Sequence, residues 1–133
     1  MHHAIMKHSD IVVHCLKDLA GFFRNMAEDN SPLENAMASS AQLCEQVAHL
    51  METDPLATLS EERFASWNEE YGPFDENVQN FHLAAILLRR AVSFLRTIGE
   101  VDETLTEQMR RNAELYEQMA DLLENDPEGE MEV

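Results

Sequence analysis

The sequence predicts an all-α protein, an up-down-up-down four-helix bundle with one additional short helix between helices 2 and 4. Three observations carry this expectation. Glycine and proline number only four each in 133 residues, and they fall where helices should end. Apolar side chains recur every three or four residues through four long segments, the spacing of one helical face. The connections between those segments hold helix start and stop residues.

The first helix is read over residues 4–29. Ile5, His8, Val12, Cys15, Leu16, Leu19, Phe23 and Met26 share one face, and Asp10, His14, Lys17, Arg24 and Glu28 share the other. Asn30-Ser31-Pro32-Leu33-Glu34 then reads as a start signal, with Ser31 as N-cap, Pro32 at the first helical position and Glu34 three residues after the cap. The second helix buries Leu33, Met37, Ser40, Cys44, Val47, Ala48 and Met51. It stops before Asp54-Pro55, because proline disfavours helical geometry in the residue before it. A turn near residue 30 sets Cys15 opposite Cys44, Val12 opposite Val47 and Met26 opposite Leu33 in an antiparallel hairpin. Ser60-Glu61-Glu62-Arg63 opens the short helix, which carries Phe64 and Trp67 and ends at Tyr71-Gly72-Pro73. The longest helix is read from Pro73 to Ile98 on a stripe of Phe74, Val78, Phe81, Ala85, Leu88, Val92 and Leu95, with Gly99 as C-cap. The last begins at Asp102-Glu103-Thr104 and turns Leu105, Met109, Asn112, Tyr116, Met119 and Leu123 inward.

The bundle is expected to be a single domain over residues 1–124, with residues 125–133 an acidic, disordered C-terminal tail. Hydrophobic residues make up 44% of the chain, enough for a modest core. The longest uninterrupted apolar run is Leu83 to Leu88, far short of a membrane span. Lys7, Asp10, Lys17 and Asp18 break any apolar region near the start, so no secretory signal is expected and the chain is placed in the cytoplasm.

Acidic residues number 26 against nine lysines and arginines, a net charge of −17. Such a field repels phosphate and anionic lipid, which excludes ordinary nucleic-acid and membrane binding. Arginine suits bidentate pairing with carboxylates. Arg89, Arg90, Arg96, Arg110 and Arg111 are therefore read first as partners for the surplus acids.

Two cysteines and six histidines invite a metal reading. Asp10, His14 and Cys15 on the first helix face Cys44, Glu45 and His49 on the second, but chain reversal sends His14 and Glu45 to opposite sides of the cysteine contact. The cysteines then read as small apolar core residues, with a disulfide or a metal site as the alternatives. Met1-His2-His3 places a histidine third from the start, a spacing that can wrap copper(II) or nickel(II) if the amino terminus is free. No metal and no cofactor are expected. His14-Cys15-Leu16-Lys17-Asp18 resembles the His-x-Leu-Lys-Gly stretch of histidine phosphotransfer domains, which are also helical bundles. That resemblance implies a phosphorylated His14, with Asp18 standing where the family has glycine. No nucleophile motif, phosphate loop or dinucleotide fingerprint occurs, so no enzymatic activity is expected.

Leu83, Ile86, Leu87 and Phe94 form a second apolar stripe on the longest helix, outside its core stripe. Together with Arg90, Phe64 and Trp67 it is the expected protein interface, either for a heterologous partner or as the seam of a homodimer. Glu103, Glu107, Glu114, Glu117, Asp121 and Glu124 recur every three or four residues along the last helix, with one gap at Arg110 and Arg111, and successive charges rise roughly 5–6 Å, near the phosphate spacing of nucleic acid. The sequence thus points to a non-enzymatic acidic interaction module, an adaptor, inhibitor or immunity-type protein with a basic protein partner. A DNA mimic occupying a basic site and a phosphotransfer protein using His14 are the alternatives.

Overall fold

A computed structural model describes residues 5–29 and 34–132. Its elements are β1 (Ile5–Lys7), α1 (His8–Asp29), α2 (Glu34–Thr53), α3 (Glu61–Tyr71), α4 (Asn80–Val101), α5 (Thr106–Asn125) and β2 (Glu130–Glu132). The chain is mostly helical, as its residue spacing requires, but not wholly so. Met1-His2-His3, the capping run before Glu34 and the Met26–Leu33 pairing involve positions outside the described residues.

α1 packs extensively against α2 and α4 against α5, while α4 also meets α1 and α2, and α1 meets α5. One hydrophobic core results. Val12, Leu16, Leu19, Val47, Leu83, Leu88, Met109, Met119 and Leu123 are all essentially inaccessible within it. α3 is a side element held by its buried Trp67 and by its last residue, whose Tyr71 hydroxyl meets Ser39 Oγ of α2 at 2.5 Å. Ser60 caps α3, accepting from the Arg63 amide at 3.3 Å. Its oxygen satisfies one of the amides that the first helical turn leaves free.

α4 starts at Asn80, not at Pro73. The segment before it is diverted to pair with the α2–α3 connection. Leu59 N–H donates to Val78 O at 2.8 Å, Asn80 N–H to Ala57 O and Phe81 N–H to Pro55 O, both at 2.9 Å, and the Asn80 side-chain amide donates to Asp54 O. Carbonyls of the 54–57 loop thereby satisfy amides at the start of α4, a substitute for a side-chain cap. Asn77 takes a positive φ of 62°, a left-handed conformation that asparagine tolerates and a continuous helix excludes. Phe74 and Val78 remain buried but outside the helix, so periodicity found their burial and misjudged their backbone. At the other end α4 runs through Gly99 to Val101, and Thr106 Oγ1 donates to Gly99 O at 2.5 Å. Gly99 is therefore inside the helix against α5 rather than its cap.

The tail also departs from expectation. Glu130–Glu132 pair antiparallel with Ile5–Lys7, which removes residue 5 from the first helix and gives residues 130–132 a defined place. His8 is the anchor. Its backbone amide donates to Gly129 O at 2.9 Å, and its Nδ1, necessarily the protonated nitrogen when facing a carbonyl, donates to Asp126 O at 3.0 Å. A Cβ at residue 129 would lie 2.7 Å from the His8 ring, so glycine is required for that approach.

Candidate functional site

The second apolar stripe of α4 is largely internal. Leu83 is 0% and Leu87 7% exposed, and Trp67 is 7% exposed; Ile86, Phe94 and Phe64 are half-buried and Arg90 is exposed. This corrects the expectation that Leu83, Leu87 and Trp67 present themselves to a partner. The physical reason is the central position of α4, which meets α1, α2 and α5 and so needs more than one buried stripe. The argument for a homodimer rested on that stripe being uncovered within one chain. Among the described residues the large apolar side chains that are exposed, Ile5, Leu56, Val101 and Leu115, are scattered over β1, the α2–α3 connection, α4 and α5 and do not restore it.

Between α1, α2 and α4 lies an apolar cavity of about 230 Å³. Leu19 and Phe23 of α1, Leu43 and Cys44 of α2 and Leu87 and Phe94 of α4 line it, with Ser40 and Arg90 as oxygen and nitrogen groups. Three residues of the expected interface, Leu87, Arg90 and Phe94, thus share one concave site. Arg90 donates to Tyr71 O at 2.6 Å and stands 5.0 Å from the Phe74 ring centroid, a cation–π contact.

The acidic residues expected along α5 are drawn into pairs. Arg89 bridges Asp121 at 2.7 Å and also Glu124, and Arg96 meets Glu117 at 3.0 Å. Arg110 bonds both Glu107 and Glu114, the latter at 2.9 Å. Hydrogen bonding to Arg110, with its charge, holds the Glu107 carboxyl below its ordinary range. Glu103 is exposed just before the helix. Arg89, Arg96, Arg110 and Arg111 are partners for carboxylates, as their type suggested, and they take most of the free charge from this face, whereas Arg90 meets no carboxylate among the described residues.

The acids of α3 and the loop after it stand differently. Glu61, Glu62, Glu69, Glu70, Asp75 and Glu76 are all exposed, with Arg63 the one basic residue between positions 61 and 76. Arg63 lies 5.9 Å over the Trp67 ring and pairs with no carboxylate among the described residues. A second cavity, about 250 Å³, opens here between Glu61, Phe64 and Glu76. In this corner the sequence points to Phe64 and Trp67 as interface residues and to Glu61 and Glu62 only as part of the helix opening. The acidic run in the same helix was the unused signal.

The other candidates are placed as follows. Cys15 and Cys44 are free and buried, both beside Tyr116. Desolvation, with Asp18, raises the Cys15 thiol to about 11, and desolvation, with Glu45, raises Cys44 to about 12. No group of three His, Cys, Asp or Glu side chains among the described residues could hold a metal ion. His14 is exposed on α1, near Glu52, whose carboxyl is held low first by Lys17, 2.7 Å away, and more weakly by His49 and His14. His8, buried and bonded to the tail, was missed as a polar contact because helical spacing had assigned it to the apolar face.

No known protein family, curated protein or solved structure matches this chain. The class that its structure defines is that of a mostly helical, strongly acidic protein. No helix among the described residues is long and apolar enough to cross a membrane.

Proposed function

We propose that this chain is a non-enzymatic protein-interaction module, built as an up-down-up-down bundle, that binds a basic protein partner through α3 and the loop after it. One observation carries the reading. Arginines offset the carboxylates of α5, whereas Glu61, Glu62, Glu69, Glu70, Asp75 and Glu76 are exposed and form no ion pair among the described residues, and Glu61 and Glu76 line a cavity with the half-buried Phe64. A basic side chain entering beside Phe64 gains an apolar surface for its stem and carboxylates from Glu61 and Glu76 for its head. Complementary charge speeds encounter, and burial at the centre sets affinity.

The DNA-mimic alternative needs a ladder of free charge along α5, and the pairing of Glu107, Glu114, Glu117, Asp121 and Glu124 works against it. Phosphotransfer through His14 is opposed by Asp18 one turn along and by Glu52 nearby, since both would repel a phosphoryl group.

The test compares affinity capture from the source cells by three immobilised proteins. They are the wild type, a variant carrying Glu61→Gln, Glu62→Gln, Glu69→Gln and Glu76→Gln, and a variant carrying Glu103→Gln, Glu107→Gln, Glu114→Gln and Glu117→Gln. The expected result is a basic protein retained by the wild type and the α5 variant and lost from the α3 variant. Retention that survives the α3 changes, or that is lost only with the α5 changes, overturns the proposal.

A further inference from the structure

The geometry points to a binding site for a small carboxylate with an apolar body of about eight carbons, in the cavity between α1, α2 and α4 with its head on Arg90. The site adjoins the end of α3 through the contacts of Arg90 with Tyr71 and Phe74, but its cavity shares no lining residue with the acidic corner and does not depend on that reading.

The space is a cleft between three helices, partly open to solvent. This cavity of about 230 Å³ has room for roughly eight water-sized groups at about 30 Å³ each. Its wall is almost wholly apolar, so water gains few hydrogen bonds there and an alkyl chain or small ring fits the surface better. The mouth is formed where the lining leaves the core: Met37, Ser40 and Phe94 are half-buried and Arg90 is exposed. An elongated ligand can therefore enter apolar end first.

Arg90 supplies the head-group chemistry. Among the residues lining the cavity it alone carries a charge. Arg24, Arg89, Arg96, Arg110 and Arg111 each stand within ion-pair distance of a carboxylate. Arg90, in a chain with 26 acids against nine bases, has none among the described residues. One of its nitrogens is committed to Tyr71 O, and its plane is steadied by the Phe74 ring. The remaining N–H groups of the guanidinium fork match a carboxylate in geometry and charge. A monoanion is favoured over a phosphate ester, because the net charge of −17 penalises each further negative charge.

The test is calorimetric titration of the full chain with octanoate and with octanol, which share the apolar body and differ in the head. Variants Arg90→Gln and Ser40→Phe remove the cation and fill the mouth, and circular dichroism confirms that each is folded. The expected result is one saturable octanoate site per chain, weakened about tenfold by Arg90→Gln or by the change to octanol, as loss of a charge-assisted hydrogen bond implies, and abolished by Ser40→Phe. The α3 glutamine variant should bind octanoate as the wild type does. Absence of saturable binding to the folded wild type overturns the inference. Octanoate binding that is indifferent to Arg90→Gln does so as well, because the amphiphile then sits elsewhere or is held by its chain alone.

Discussion

Cys15 and Cys44 sit beside Tyr116 where three helices meet, and burial governs their chemistry. Both thiols titrate well above the ordinary value of 9.0, at about 11 and about 12. The thiolate is the nucleophile, so these cysteines are poor ones in the native state. The same shifts make a statement about stability. Below pH 9 the folded and unfolded chains both hold the protons; above it the unfolded chain releases them first, and stability declines as pH rises toward about 11. Denaturant titrations across that window should show a falling midpoint, with a flatter decline in the Cys15→Ala, Cys44→Ala variant. A wild-type midpoint unchanged from pH 8 to 11 would contradict the burial of the thiols. At the acid end the sign is opposite. Glu52, Asp102 and Glu107 are held below their ordinary values, Glu52 and Glu107 by Lys17 and Arg110 and Asp102 by hydrogen bonds from Thr104. Their contributions are present above the ordinary carboxylate range and fade as pH falls through the lowered values. The apolar setting of the cysteines was legible in the sequence, because Cys15 follows Val12 and precedes Leu19 at helical spacing. The role of His8 was not, because its partner carbonyl at Asp126 is 118 residues away.

At the scale of the element, α4 shows what periodicity can and cannot carry. Its core stripe was readable, and so was the surplus of apolar residues beyond it. What covers the surplus was not, since sequence spacing says which side chains share a face but not how many neighbours a helix has. α4 meets α5 on one side and α1 and α2 on others, so Leu83 and Leu87 are core residues. Leu83→Glu should therefore unfold or strongly destabilise the chain, by about 3 kcal/mol or more, because it leaves an unpaired charge in the interior. Thermal and denaturant unfolding measure this. A Leu83→Glu protein of unchanged stability and lowered mass in solution would instead restore the homodimer seam. The start of α4 was misplaced for a related reason. The residues from Pro73 to Gln79 keep a helical pattern of apolar groups, yet the 54–59 connection competes for their backbone and wins through several hydrogen bonds and the positive φ of Asn77. The strand pair at the termini was equally out of reach, being three residues long on each side and joined across the whole chain.

For the whole molecule, net charge misleads until it is divided by location. A value of −17 suggests a uniformly acidic surface, and the acidic residues of α5 are the basis of the DNA-mimic alternative. Arg89 and Arg96 of α4 and Arg110 and Arg111 of α5 lie against that face, and the carboxylates they meet are half or more exposed in most cases. Individual pairs of this kind add little to stability, because solvent screens them; their larger effect is on where free charge remains. Free charge remains in several places, among them α3, a helix that contributes one buried side chain, Trp67, to the core and leaves most of its other residues exposed. The most direct measurement is a backbone-amide NMR titration with an oligo-lysine peptide at low ionic strength, repeated at high salt. The account predicts salt-sensitive shifts centred on Glu61, Phe64, Glu69 and Glu76, with those of α5 from Glu107 to Glu117 small. Shifts that instead follow α5, or that spread evenly over the acidic surface, would contradict it.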